Sequence, residues 1–333
     1  MQKRFITMFN TQGWIGIYIV GVVIHWLLSL ASTLISYLLL AETTTMLVVQ
    51  LGISILRIFL TTFFYTMAYS KAVLLFIDKT TLDGKRVTTS LKSPSFFLFV
   101  FSNILVCVFT LGIYIPWAYR AVIDKVVSSI ETEEGGRFAF LSKVSSLFSV
   151  FIISFTLIIV TIVLSMLSFV VAINFSSMFS LALTFCLIGL VLFVAFLASA
   201  VAMQIFMIKW CINLSYSSPS KKATYTLNIN IASAIFFYLG QLVLVAITLG
   251  FYMGAFFLNT YRYFVERIEE KENDMQTGRL LFIQPIGKGA GFLLIQVILC
   301  FLTAGIYVPF AYAEYARFFV NNTYLHTDEK KDE

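Results

Sequence analysis

The chain has 333 residues, of which 59% are hydrophobic and 12% charged, with 35 Phe and a formal net charge of +6. Soluble domains carry about a quarter charged residues, so this balance excludes an ordinary soluble protein and places the chain in a bilayer. No separate soluble domain is left to present a basic face, and nucleic acid is not expected as a partner.

The first apolar run, at about residues 14 to 41, follows "MQKRF". It is too long for a signal-peptide core and lacks a small-residue cleavage site, so it is expected to stay as an anchor. Further apolar runs lie at about 46 to 70, 95 to 111, 144 to 172, 179 to 208, 231 to 248 and 288 to 303. Each is close to the roughly 20 residues that cross a membrane as a helix.

One of these runs ends in "TLGIYIPW", Thr110 to Trp117. The same break returns as "TLGFY" at Thr248 to Tyr252 and "TAGIY" at Thr303 to Tyr307, followed two residues on by Pro116, Gly254 or Pro309. Seven residues before each Thr stands an amide: Asn103, Gln241 or Gln296. Two helical turns put amide and Thr on one face, and in lipid that face is expected to look inward, because an amide in hydrocarbon lacks partners. Both roles stay open for the amides, helix-to-helix glue and the lining of a wet path. Tyr114, Tyr252 and Tyr307 either hydrogen-bond across the break or fill it.

Four charged joints, "DGKRVTTS" from Asp83, "GGRFAFLS" from Gly135, "KKATYTLN" from Lys221 and "TGRLLFIQ" from Thr277, have the look of short strands. They are expected to pair into a small sheet on one membrane face. The order of two spans, strand, apolar run and break occurs twice, which reads as a tandem duplication. Residues 1–143 form the first repeat, 144–325 the second, with an additional break element, and 326–333 a disordered tail. Together they make one integrated membrane domain. A degenerate counterpart of the last break, near Thr161 to Ser165, is expected to run on as helix.

Charge selects how the breaks fold. With every run crossing once, Lys and Arg divide almost evenly between the two sides, against the positive-inside rule. With each break turning the chain back, the loops "AETTT" and "AINFSSM" carry no Lys or Arg. Of the 23 basic residues only Arg57 then falls outside cytoplasmic segments and returning helices. The expected fold is therefore an all-α polytopic membrane protein. Four long spanning helices are joined by three folded-back or re-entrant helix-break-helix elements, with small cytoplasmic strands at the joints and both termini cytoplasmic.

The octapeptide, together with "DKTTLDGKRV" before it and the closing "ARFFVNNTYL", resembles the YjgN-like bacterial inner-membrane family, a domain of unknown function whose hallmark reads approximately TLGIYxPW with RYxxxNTxLxG nearby. The resemblance covers residues 71 to about 143 and 207 to 325. It implies a multi-pass protein of the bacterial inner membrane and no known activity. The second copy departs from the pattern at Met253, Gly254 and Ala255, and the third at Ala304 and Phe310.

Arg57 lies mid-span, where an Arg costs about 2.5 to 3.5 kcal/mol on insertion scales, so it needs a partner. Glu314, Asp124 or carbonyls freed at a break are the candidates, and an anion site is the alternative to a structural pair. His25, equally deep, is read as a hydrogen-bonded packing residue, with a proton relay as the alternative. Cys107, Cys186, Cys211 and Cys300 are scattered without metal or disulfide spacing, and "GKGAG" at Gly287 lacks the spacing of a phosphate loop and reads as a flexible entrance to the last element. No metal and no cofactor is expected. With no Ser/His/Asp set and no HExxH motif, hydrolytic catalysis has little support, and an intramembrane enzyme using Tyr114 or His25 is a distant third reading.

The basic residues suit anionic headgroups at the cytoplasmic face, making membrane lipids the expected partner, with a protein partner or homo-oligomer left open. Two functions compete. One is a transporter, channel or lipid-handling protein with a site near the breaks, because repeated broken helices build many transport sites. The other is a non-catalytic scaffold or accessory subunit of an envelope complex.

Overall fold

A computed structural model of the chain describes residues 2–38, 44–174, 178–219 and 221–327. Parts of the two loops expected outside, Ser176 and the tail beyond Thr327 lie outside the described residues. Among the described residues the helices form five pairs: α1 (Ile15–Leu38) with α2 (Thr44–Asp78), α3 (Ser93–Phe109) with α4 (Ile115–Ser128), α5 (Val144–Asn174) with α6 (Phe179–Cys211), α7 (Ile231–Ile247) with α8 (Met253–Val265), and α9 (Ile286–Leu302) with α10 (Val308–Asn321).

The expectation of an all-α protein with a small sheet is overturned. Ten strands, β1 (Gln2–Thr7), β2 (Thr80–Leu82), β3 (Lys85–Thr89), β4 (Ile130–Thr132), β5 (Arg137–Phe140), β6 (Asn213–Ser217), β7 (Lys222–Leu227), β8 (Ile268–Glu272), β9 (Met275–Phe282) and β10 (Thr323–Thr327), close into an antiparallel barrel. The four expected strands are β3, β5, β7 and β9. Their partners are hard to see in sequence. β2 and β4 are three residues long and follow directly on helices, β8 reads Ile-Glu-Glu-Lys-Glu like a solvated helix end, and β1 lies in the charged flank of the first span. Residues 326 and 327, assigned to the tail, belong to β10.

Strands follow one another around the barrel in chain order, and β10 closes on β1, with Lys3 opposite Leu325. Even-to-odd connections are short. Two of them, Asp83-Gly84 and Asn273-Asp274, have positive φ at both central residues, the hairpin turn whose twist matches the strands. Odd-to-even connections are the helix pairs. Because neighbours are antiparallel, all five helix pairs leave from one rim, while the tight turns, the start of β1 and the end of β10 lie at the other.

The buried apolar clusters sit where barrel meets helices. Leu227 and Ile268 join Val201, Ile205 and Phe264, Phe140 joins Leu147 and Trp210, and Phe282 joins Leu258 and Leu293. Phe9, Trp14, Tyr18, Ala68, Ala72 and Ala313 form a fourth cluster, where α1 and α2 meet α10. Each fully buried large side chain there contributes about 1.5 to 3 kcal/mol.

The helix pairs are of two kinds. α1, α2, α5 and α6 have 24, 35, 31 and 33 residues and are long and apolar enough to cross a membrane. α5 continues through Thr161 to Ser165 without a break. The first arms of the other pairs, α3, α7 and α9, have 17 residues each, a length of about 25 Å.

Candidate functional site

The three breaks are one turn built three times. Thr110, Thr248 and Thr303 close α3, α7 and α9. Each Thr hydroxyl donates to a carbonyl of the preceding helical turn (Val106, Leu244 or Leu299, 2.8 Å in each case) and accepts from the N–H of Tyr114, Tyr252 or Tyr307, the cap of the returning helix, at 3.2, 3.0 and 3.0 Å. The next residue, Leu111, Leu249 or Ala304, has φ near +50°, and the glycine after it also has positive φ. The glycine N–H reaches back to Cys107, Val245 or Cys300 at 2.7, 2.8 and 2.9 Å. This is a Schellman closure, which satisfies carbonyls a helix end would otherwise expose.

The side chains at the tips are apolar and bare. Leu111 and Leu249 are each 89% exposed, and Phe109 and Phe301 nearly as much. Pro116 and Pro309, at the start of the returning helices, are fully buried. The sequence departure at Gly254 has a packing cause: a Cβ there would lie 2.0 Å from the Ala290 carbonyl oxygen, so α8 and α9 can touch only if the position is glycine. "GKGAG", read as a flexible entrance, is the first turn and a half of α9, and supplies the other side of that contact.

The amides and tyrosines meet in two copies. Tyr252 Oη donates to Gln241 Oε1 (3.1 Å), joined by Asn259 Nδ2, and Tyr307 Oη donates to Gln296 Oε1 (2.9 Å). In the first copy Asn103 donates to the Phe99 carbonyl of its own helix (2.8 Å), and Tyr114 stacks on Trp117. Asn259 escaped sequence reasoning, although it stands seven residues after Tyr252, on the same face of its helix.

Arg57 meets neither expected acid. Its guanidinium donates to Ser29 Oγ on α1 (3.0 Å), while Glu314 pairs with Arg317 on its own helix. No ion pair joins Arg57 to Asp124 or Glu314 among the described residues. His25 is half-buried on α1.

Two clefts flank the α3–α4 hairpin, and Val100, Ile104 and Val122 border both. The larger, about 790 Å³, runs from the Leu111–Ile113 turn along α3 and α4 to Phe151 and Phe155 of α5. Its few polar groups, notably Asn103 and Tyr119, are already hydrogen-bonded within the protein. The smaller, about 450 Å³, is faced by Thr62, Tyr65, Thr66, Tyr69 and Ser70 of α2. None of these five hydroxyls has a hydrogen-bond partner among the described residues. By contrast, Thr33, Thr161, Ser168, Thr184 and Ser199 each bond back to a carbonyl one turn earlier. The sequence carried a signal for this stripe, hydroxyls every four residues at 62, 66 and 70 with tyrosines at 65 and 69.

Among the described residues, five helix pairs standing on one rim of a closed barrel, four of their helices apolar and long enough to span a bilayer, define the class: a polytopic membrane protein with a β-barrel base. Residues 2–141, less than half of the chain, match the family model "Bacterial protein of unknown function (DUF898)", the family of YjgN-like proteins. The match takes in α1 and α2 as well as the first break. No curated protein and no solved structure matches the chain.

Proposed function

We propose that the protein handles lipid in the bacterial inner membrane, holding an amphiphile against the α3–α4 hairpin. The observation that carries this reading is the pair of clefts sharing Val100, Ile104 and Val122. The apolar cleft suits an acyl chain, and the hydroxyl-faced one suits the ester or headgroup oxygens of the same molecule, which would fill donors that have no partner inside the protein. Ion or solute transport is less well supported, because the polar atoms at the breaks are spent within them. The Thr hydroxyls close the turns, and Gln241 and Gln296 are taken by tyrosines.

The same reading keeps the three broken pairs as re-entrant elements. Their arms of about 25 Å fall short of a hydrocarbon core of about 30 Å. A turn with its carbonyls satisfied and Leu or Phe at its tip suits that environment. Departure of all five pairs from one rim supports a single cytoplasmic side for the barrel and both termini. Lys92, Lys125, Lys143 and Lys209, on or beside the barrel-proximal ends of α3 to α6, would then meet anionic headgroups. We also infer that the recurring order of helix pair and strand pair descends from internal duplication.

Full-length protein in nanodiscs carrying a photoreactive phosphatidylglycerol tests the site. Crosslinks are expected to concentrate on the peptides holding Val100, Ile104 and Val122 and to fall at least about tenfold in Ala118→Trp, which fills the apolar cleft. Crosslinks spread evenly over all spans, or unchanged by the variant, would remove the proposal. For topology, cysteines at Ser128 and Thr327 should label only from the cytoplasmic side and one at Ser176 only from outside.

A further inference from the structure

The barrel lumen holds a second polar site, independent of the lipid clefts. Alternation along the strands turns Lys3, Thr132, Tyr216, Tyr225 and Glu270 into the barrel. Together with Lys85 and Lys221 they surround a cavity of about 70 Å³, room for about five water-sized groups. Toward the helices the barrel ends in the apolar clusters, so this cavity is approached from the rim of tight turns.

Glu270 is the centre of the site. It is 1% exposed, and its Oε1 accepts from Lys221 Nζ (2.8 Å) and Tyr225 Oη (2.7 Å). Its Oε2 is buried with no partner. The strand register shifts between Glu270 and Lys271, the kind of irregularity that re-aims a side chain. Gly278 pairs across from Glu270, and a Cβ there would lie 2.8 Å from the His326 carbonyl oxygen and 3.0 Å from Glu270 Oε2. The glycine thus leaves the space the carboxylate occupies. Burial, with the neighbouring carboxylate, pushes the Tyr225 phenol well above its ordinary value, keeping it a donor.

The remaining charges narrow the ligand. Lys85 is paired with Glu134 and Lys221 with Glu270. The Lys3 ammonium lines the cavity with no hydrogen-bond or ion-pair partner among the described residues, although Asp83 and Glu134 line the cavity too and Glu134 feels the Lys3 charge through space. Glu270, with one carboxylate oxygen that has no donor, and Lys3, with no ion-pair partner among the described residues, therefore line the same small space. We propose that the lumen binds a small zwitterion of about the size of glycine, its ammonium donating to Glu270 Oε2 and its carboxylate meeting Lys3. A divalent metal fits less well, since no group of three or more metal-ligating side chains gathers among the described residues.

Isothermal titration of the full-length protein in nanodiscs with glycine tests this, with methylammonium and acetate as one-headed probes. Glycine is expected to give saturable heat, and its affinity to fall about tenfold or more in both Glu270→Gln and Lys3→Gln. Either one-headed probe should bind more weakly than glycine. Should Glu270→Gln fail to fold, Lys3→Gln at the mouth still decides the matter. No saturable heat from glycine would mean a lumen filled by water alone and would overturn the proposal. So would an affinity unchanged in Lys3→Gln, or methylammonium binding as tightly as glycine. None of these results bears on lipid crosslinking at α3–α4, so the two proposals fail separately.

Discussion

The α5–α6 pair and the α7–α8 pair start from the same barrel rim and both lead off with an apolar helix, yet they hold themselves in place differently. In α5–α6 the two arms pack along each other: Gly189 lies against the Phe169 ring, and Ser165 Oγ donates to the Gly189 carbonyl (3.0 Å). In α7–α8 the arms touch sparingly, and α8 lies along α9 of the next pair, with Gly254 against Ala290. Closest approach is internal in the long hairpin and external in the turned one. A long hairpin can therefore cross as a unit, while a turned one depends on its neighbours and, in α3–α4, leaves clefts at its flanks.

The largest test of this contrast is at the glycines. Gly254→Ala meets backbone at 2.0 Å that has nowhere to go and should cost about 3 kcal/mol, whereas Gly189→Ala meets the edge of a ring at 3.1 Å and should cost about 1 kcal/mol. Thermal unfolding of the two variants in one detergent compares them, and equal losses would erase the distinction.

Next come the threonines. Thr248→Val removes two hydrogen bonds that close a turn and should cost about 1 to 2 kcal/mol, whereas Thr161→Val removes only back-bonds within a continuous helix and should stay within about 0.5 kcal/mol. If Thr161→Val proved the more damaging in the same unfolding assay, the turn would not be the feature that matters. Leu111→Gly should raise stability by about 1 kcal/mol, because a leucine held at φ +50° is strained where glycine is not. A loss in detergent would show that the exposed leucine is held by protein contacts.

Smaller still, Tyr307→Phe deprives buried Gln296 of its partner and should cost about 0.6 kcal/mol, while Tyr114→Phe, with no such bond, should be silent. The smallest effect lies on the barrel's turn rim. There the Lys85 ammonium holds the Glu134 carboxyl below its ordinary value. The folded value is the lower one, so this contribution is present above the unfolded carboxylate range and lost as pH falls through the folded value. The pair is exposed and the loss should be slight. Denaturation profiles of the wild type and Glu134→Gln should differ only toward neutral pH and converge in acid.

The helical layer was largely legible in the residues. Apolar length marked all four spanning candidates, and three related TxGxY segments marked the turns, because Thr and Gly have distinct backbone uses wherever they occur. The candidate polar residues were legible as residues but not as contacts. Gln241 was singled out by its spacing from Thr248, yet its bond to Tyr252 depends on how the two arms lean. Arg57 was singled out by its depth, yet its partner is a serine on α1 rather than an acid.

By itself, then, the sequence determined that the chain belongs in a bilayer and where it breaks, since composition and local backbone preference act over a few residues. Only the tertiary structure decided that ten short strands scattered from residue 2 to residue 327 close into one barrel. Strands of three to eight residues carry little signal alone and are specified by pairing with distant neighbours. The same holds for Glu270. In sequence it is one acid among several in "RIEEKEND", and barrel closure, with a glycine opposite, is what buries one oxygen of its carboxylate without a partner.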